Sequence, residues 1–411
     1  MVCVCVNRRS AGEPSLVCGA DFLGAVILTD GGQDLKTRRD AALAHYRAGR
    51  FVEAIQAQMA VVNDIGATTP ESAEDQVRLA AFLFAHGDLP AAAGVFANAI
   101  RFRPDDAEAL TNYGVVLSRL RRLEEAHELL TRALKIAPDV PNTHDALASV
   151  SYRMKRFDDA RHHGETALNL KDEAVTKTGT AHPIPDQPVP FSPDDPTLNI
   201  IAFSLWGDGE KYLSGALENA RLAPDIYPHW QCRFYCDDTV PEIVRTQLKA
   251  FGAQVLMMNR VNPFDGLFWR FLPANDGRTR HFLVRDADSI INPREQAAVS
   301  EWLQSGKAFH VMRDWWTHTE VMLAGMWGGT GGVLPPLQTL LKDFKPSALA
   351  NWHLDQWFLR SQVWPTVRQS CLIHDSRFKA LGAKDFPAGS ELPDGHHVGQ
   401  NASVHKPKVK S

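Results

Sequence analysis

The sequence predicts a multidomain protein, an all-α solenoid of helical hairpins followed by an α/β domain. Three observations carry this. The chain has 411 residues, too many for one ordinary core. Pro104 and Pro138 lie 34 residues apart, and the sequence between them can be laid over its neighbours on both sides. From Leu198 onward, short apolar runs alternate with amphipathic stretches, the pattern of strands and helices arranged in layers.

The bulk composition narrows the class. Hydrophobic residues make up 44% and charged residues 22%, and 44 basic against 48 acidic side chains leave a formal charge of −4. A nucleic-acid partner, which would show as a basic stripe, is not expected. The six cysteines (Cys3, Cys5, Cys18, Cys232, Cys236 and Cys371) are scattered and make no disulfide framework, which predicts a reducing, cytoplasmic setting. Cys232 and Cys236 admit two readings: half of a metal site, or neighbours on one face of a strand. The apolar run from Phe22 to Leu28 is too short to span a membrane and lacks the order of a secretory signal, and no transmembrane segment is expected elsewhere. Residues 1–35 read as a disordered or misassigned N-terminus without function.

The repeat register is specific. From Ala107 it runs Leu110, Tyr113-Gly114, Leu117, Ala126, Leu130, Ala133 and Pro138. One period earlier stand Leu79-Ala80, Leu83, Ala92, Phe96, Ala99 and Pro104, and one period later Leu147-Ala148, Ala160 and Ala167. A weaker first unit, Ala41-Ala42 through Ala54, is displaced by about four residues. Small residues at Gly114 and Ala126 let paired helices approach, larger ones fill between hairpins, and the prolines stop each second helix. Residues 36–172 resemble the tetratricopeptide repeat family, although the family's usual Trp in the first helix is absent. The resemblance implies a surface for a peptide or protein partner; a spacer or dimerising role is an equal alternative.

Apolar periodicity ends after Lys171, and prolines accumulate at Pro183, Pro185, Pro188, Pro190, Pro193 and Pro196, so residues 173–196 read as a linker. The α/β domain is expected over residues 197–390, with a flexible tail over 391–411. Its first strand is Leu198 to Leu205, ending in the turn Trp206-Gly207-Asp208-Gly209. A helix from Lys211 to Leu222 follows, then a strand Trp230 to Cys236 closed by Asp237-Asp238, a helix Glu242 to Phe251 and a strand Gln254 to Met258. The segment 259–280, with Trp269-Arg270-Phe271, reads as an aromatic approach loop in which Arg270 either pairs a phosphate or forms a salt bridge.

The decisive run is His281-Phe-Leu-Val-Arg-Asp-Ala-Asp-Ser289. A strand delivers Asp286 and Asp288, one residue apart, to its end, and two carboxylates so spaced can hold one hard divalent cation such as Mg²⁺ or Mn²⁺. Residues 198 to about 380 resemble glycosyltransferases of the GT-A fold, in Phe282 to Ser289, Trp302 through Arg313-Asp314, and His318 through Met326-Trp327-Gly328-Gly329. That resemblance implies a nucleotide-sugar donor and a protein or glycan acceptor. It gives Asp286 and Asp288 as metal and diphosphate ligands. Ser204, Trp206, Gly207, Asp237 and Arg285 would lie on the nucleotide side.

A third metal ligand is usual in such a fold, and His374 is the candidate, its alternative being an ordinary packed histidine. Arg313, Asp314, His318, Trp327, Gly328 and Gly329 form the candidate acceptor side, where rings stack on sugars and glycines allow close approach; Trp315, Trp316 and Trp327 as core filling is the other reading. Asp355, within Trp352-His353-Leu354-Asp355-Gln356-Trp357, is the candidate general base if transfer inverts the anomeric centre; if transfer retains it, Asp355 or Gln356 lies near the donor sugar. Two further readings stand beside the enzyme: a repeat scaffold with a degenerate transferase domain, and a metal-dependent phosphosugar hydrolase.

Overall fold

The computed structural model describes residues 35–185, 189–262, 264–345 and 353–401. The expected N-terminal segment, Pro188, Trp352 and the tail from residue 402 lie outside these. The chain divides into two compact units, Met1–Ala146 and Leu147–Ser411.

The first unit is built of helical hairpins. Its helices are α1 (Leu35–Arg47), α2 (Phe51–Ile65), α3 (Ala73–His86), α4 (Leu89–Phe102), α5 (Ala107–Arg119), α6 (Leu123–Ile136) and the start of α7 (Pro141–Arg153). The starts of α3, α5 and α7 are spaced by 34 residues, as are those of α4, α6 and α8 (Phe157–Thr178), whereas α2 precedes α4 by 38. The four extra residues fall in the Gly66 to Ser72 connection, which closes as a short 3₁₀ turn. Asp88 and Asp106 cap α4 and α5 by accepting the Ala91 and Ala109 N–H groups, each at 3.0 Å. Gly114 faces Leu130 so closely that a Cβ there would stand 2.7 Å from Leu130 Cγ, which is why a small residue occupies the helix crossing. The turn inside each hairpin needs a left-handed residue, supplied by Gly49 (φ 73°) and Gly87 (φ 97°) but by Arg121 (φ 64°) in the third hairpin.

In the second unit, α8 is a 22-residue helix whose buried face continues through Lys171, Asp172 and Val175. Asp172 accepts the Trp364 Nε1–H at 2.7 Å and the Arg368 guanidinium at 2.8 and 2.9 Å. Lys171 Nζ donates to the Thr319 carbonyl at 2.8 Å. The expected linker therefore begins inside a helix docked on the α/β layer. Its proline-rich part is also held, since the His182 N–H donates to Thr366 Oγ1 at 3.0 Å and the Phe191 ring lies 5.5 Å from Trp230.

Among the described residues the sheet has seven strands: β1 (Asn199–Leu205), β2 (Gln231–Cys236), β3 (Gln254–Met257), β4 (His281–Arg285), β5 (Phe309–Arg313), β6 (Met326–Thr330) and β7 (Cys371–Asp375). Their order is β3-β2-β1-β4-β6-β5-β7, parallel except for β6. The helices are α9 (Glu210–Ile226), α10 (Glu242–Ala250), the short α11 (Gly266–Trp269), α12 (Pro293–Gln304), α13 (Leu337–Asp343) and α14 (Leu354–Phe358). Strands β1 and β4 are buried along their whole length, so apolar runs rather than alternation encode them. Cys232 and Cys236 are free, buried thiols on one face of β2 in an apolar cluster, and burial pushes both up to about 12. The strand-face reading accounts for them. The segment after residue 390 is packed as far as Asn401, with Val398 fully buried against Met312 and Met326, so the expected flexible tail is docked over that stretch. No helix among the described residues is long and apolar enough to cross a membrane.

Candidate active site

The chain runs outward from β1 to β2 to β3, then returns to place β4 on the other side of β1. The crevice at the carboxyl ends of β1 and β4 is thus the point where the winding reverses, the place where open α/β sheets hold ligands. Ser204 and the turn Trp206-Gly207 leave β1 there, and Asp286 and Asp288 leave β4 there.

The acidic loop is seated by α9. A Cβ at Gly215 would overlap the Ala287 carbonyl and stand 2.9 Å from Asp288 Cα, so the loop lies directly on the helix. One turn on, the fully buried Asn219 staples the loop: its Nδ2 donates to the carbonyls of Ala287 (3.3 Å) and Ser289 (2.9 Å), and its Oδ1 accepts the Ile291 N–H (2.9 Å). Gly325 leaves room for the Asp286 carboxylate, which any side chain at 325 would meet. The sequence carried a signal for Asn219, since it is the one polar residue on a small-residue stripe Gly215, Ala216, Ala220 and Ala223 at helical spacing.

Three carboxylates and two cations meet at this point. Arg270 holds Asp286 with one guanidinium nitrogen and Asp355 with the other, the latter at 2.6 Å, while its backbone N–H donates to Ser204 Oγ at 3.0 Å. Asp288 Oδ2 accepts from Lys211 Nζ and from Asn401 Nδ2, both at 2.9 Å. The Asp286 side chain is 45% exposed and that of Asp288 16%, so the pair opens to solvent on the Asp286 side. Burial, reinforced by the Asp286 charge, raises the Asp288 carboxyl above the usual range. Burial also raises Asp355, with Arg270 pulling the other way and Asp286 adding to the rise. Lys211 is opposed by its own burial, but the hydrogen bond and charge of Asp288 prevail and raise it.

The nucleotide-side residues divide. The Gly207 N–H, at a φ of 77°, donates to Thr239 Oγ1 at 2.6 Å, and that hydroxyl donates to Asp237 Oδ1, so the ends of β1 and β2 are tied together. Asp237 also pairs with Arg260 at 2.9 Å. Beside them an open cleft of about 480 Å³ is lined by Asp237, Asp238, Met257, Met258, Asn259 and Arg260. Trp206 lies across Gly266, where a Cβ would stand 2.6 Å from the ring, and meets Trp269 edge-on at 6.3 Å. Arg285 is not part of this group. Its side chain turns into the core, binding Glu295 at 3.1 Å and the carbonyls of Val284 and Trp327.

The expected third metal ligand and acceptor side are likewise elsewhere. His374 sits in β7, three strands from β4, with Nδ1 against His310 Nε2 at 2.8 Å and Nε2 against Glu301 at 3.0 Å, so both ring nitrogens are engaged. The packed-histidine reading accounts for it, and among the described residues no three His, Cys, Asp or Glu side chains group as a metal site. Arg313 and Asp375 form a fully buried pair at 2.6 Å. Asp314 is buried between Arg294 and the Val398 N–H, and the Asp314 N–H donates to His318 Nδ1 at 3.0 Å. Trp327, Gly328 and Gly329 are interior residues of β6. A Cβ at Gly328 would stand 2.6 Å from the Phe282 carbonyl, so this glycine admits a neighbouring strand rather than a sugar. Trp315 and Trp316 pack on Tyr152, in line with core filling. Lys211, Asn219 and Asn401, which the sequence reading passed over, stand beside the acid pair instead.

A family model described as tetratricopeptide repeat matches residues 83–150. The helical hairpins within residues 83–150 match the tetratricopeptide repeat. Among solved structures, MamA from Desulfovibrio magneticus RS-1 is similar at 20% identity and a TM-score of 0.32, over 36% of this chain and 80% of that one. A point mutant of the Thermobaculum terrenum O-GlcNAc transferase is similar at 18% identity and a TM-score of 0.38, over 56% of this chain and 42% of that one. Pseudomonas aeruginosa pilF matches at 23% identity and a TM-score of 0.30, over 34% of this chain and 63% of that one. No curated protein matches the chain. Beyond the tetratricopeptide repeats, the chain carries a mixed α/β sheet domain.

Proposed function

We propose that the α/β domain is a metal-dependent glycosyltransferase of GT-A type, moving a sugar from a nucleotide-sugar donor to a protein or glycan acceptor, with the repeats binding the acceptor or a partner. The observation that carries this reading is the meeting of Ser204, Arg270, Asp286, Asp288 and Asp355 at the sheet's point of reversal. The neighbouring cleft of about 480 Å³ falls within the size range of small-molecule sites and suits the nucleoside end of a donor.

Asp286 and Asp288 fit a cation of the Mg²⁺ or Mn²⁺ kind, which commonly takes one or two carboxylates and completes its shell with phosphate oxygens and water. When bound, such an ion neutralises charge on a diphosphate leaving group. The chain's own residues do the rest. Lys211 and Arg270 bring fixed positive charge to where a diphosphate would lie, and Asn219 with Gly215 holds the backbone of the acid loop in place. Asp355, raised above the usual carboxyl range, is suited to take the proton of an acceptor hydroxyl in an inverting transfer, provided Arg270 yields one of its oxygens.

A second reading has its own support. Arg270 and Lys211 already satisfy the acid cluster, the state expected of a repeat scaffold with a degenerate transferase domain. Donor turnover separates the two. Hydrolysis or transfer of a UDP- or GDP-sugar with Mn²⁺, lost in Asp286→Asn and in Asp288→Asn proteins that still fold, supports the enzyme; no turnover of any donor by the parent protein supports the scaffold.

A further inference from the structure

We propose that Arg270 is a built-in competitor for the divalent cation at Asp286, and that Asp355 sets the strength of that competition by drawing the guanidinium away. This rests on the reading of Asp286 as a cation ligand.

The argument is one of charge and geometry. A single guanidinium is shared between two carboxylates, one nitrogen to each, and it is largely buried with both its terminal nitrogens committed. Its Nε–H is buried without an acceptor among the described residues, so the group is not held in its best fork geometry by either acid. The Arg270 N–H is held by the Ser204 hydroxyl, and among the described residues its guanidinium is given Asp286 and Asp355 as acceptors. Asp286 is the more open of the two acids, with 45% of its side chain exposed against 6% for Asp355.

A cation arriving from solvent therefore meets Asp286 first, and repulsion between two positive charges sharing one carboxylate drives Arg270 onto Asp355. Asp355 is the buried acceptor that makes this retreat inexpensive, since its Oδ2 already accepts one guanidinium nitrogen at 2.6 Å. Remove the arginine, and the ion has Asp286 to itself. Remove the charge at Asp355, and Arg270 has only Asp286 left to neutralise.

The test is Mn²⁺ binding to the full chain, followed by the electron paramagnetic resonance signal of free Mn²⁺, for the parent, Arg270→Gln, Asp355→Asn and the double variant. Arg270→Gln is expected to tighten binding about tenfold or more, a tenfold change being slightly above what one removed charge at contact distance is worth in water. Asp355→Asn is expected to weaken it severalfold in the parent background and by less than about twofold in the Arg270→Gln background, because the residues act as one unit. Equal weakening in both backgrounds would mean that Asp355 acts on the ion directly and would overturn the proposal, as would no tightening in Arg270→Gln. Should Arg270→Gln fail to fold, Arg270→Lys, which keeps the charge without the fork, is expected to lose at least half of the Asp355→Asn effect; an undiminished effect overturns the proposal. An Asp286→Asn protein that binds Mn²⁺ as well as the parent, or a parent that binds none, brings down the reading beneath it as well.

Discussion

Two of the arginine–carboxylate clusters in the α/β unit look alike in residue type and behave differently in space. At the ends of β1 and β4, Arg270 is divided between Asp286 and Asp355, and one of its acids faces solvent. In β5 and β7, Arg313 and Asp375 are sealed from water, with His310 and His374 on the same strands and Glu301 of α12 closing their hydrogen-bonded chain. The open cluster keeps Asp286 within reach of a ligand from solvent. The sealed one is closed to any ligand by its burial. Residue type alone does not distinguish them, and the depth at which a strand delivers its charge does.

The largest contrast should appear on breaking each pair. Arg313→Met leaves Asp375 buried without its partner and is expected to cost about 3–5 kcal/mol in urea unfolding. A cost under about 1 kcal/mol would show that water reaches the pair and would erase the contrast.

Acid should act with opposite sign on the buried histidines and on the raised carboxyls, Asp375 of the sealed cluster among them. Burial holds His310 and His374 below the usual histidine value. The unfolded chain therefore binds protons that the folded chain refuses, and these histidines subtract stability as pH falls below about 6.5, each by about 1.4 kcal/mol per pH unit. Asp288 and Asp355 are raised, so the folded state binds their protons more readily than the unfolded chain. Their contribution improves as pH falls through their raised folded values toward the ordinary carboxyl range. Denaturation across pH 5–8 is expected to show a net loss on the acid side that His374→Gln flattens and Asp355→Asn does not.

Next in size is the staple under the acid loop. Asn219→Ala removes three hydrogen bonds from a buried site and is expected to destabilise the protein by about 2 kcal/mol, and to weaken Mn²⁺ binding although residue 219 would touch no ion. Loss of stability with unchanged Mn²⁺ binding would reduce Asn219 to a purely structural residue. The smallest effect is expected from Asp286→Asn, within about 1 kcal/mol of the parent in urea, since its carboxylate is half in water.

The repeats were legible because their information is local and periodic: the 34-residue spacing of helix starts follows from where Pro104, Pro138, Gly114 and Ala126 stand, and the four-residue offset of the first hairpin from Ala41-Ala42 and Ala54. Strands β1 to β4 and the acid pair at the end of β4 were legible for a similar reason, each being an apolar run ended by turn or acidic residues. The sealed charges were not. Arg285 meets Glu295 ten residues on, but Arg313 meets Asp375 62 residues away, and no pattern within either strand names the partner. Trp327-Gly328-Gly329 has the composition of a binding loop, yet its glycines are required where the Phe282 carbonyl and the Phe309 ring press on β6. The boundary after residue 172 was set by proline content, whereas the Asp172 contacts to Trp364 and Arg368 carry α8 to Thr178.

The most direct test of the account is calorimetric titration of a nucleoside diphosphate into the full chain, with and without Mn²⁺. Binding that requires both the ion and the carboxylates of Asp286 and Asp288, and that raises the melting temperature in proportion to occupancy, is the predicted result. Diphosphate binding of equal strength in the Asp286→Asn and Asp288→Asn proteins, or none in the parent with Mn²⁺ present, would contradict it.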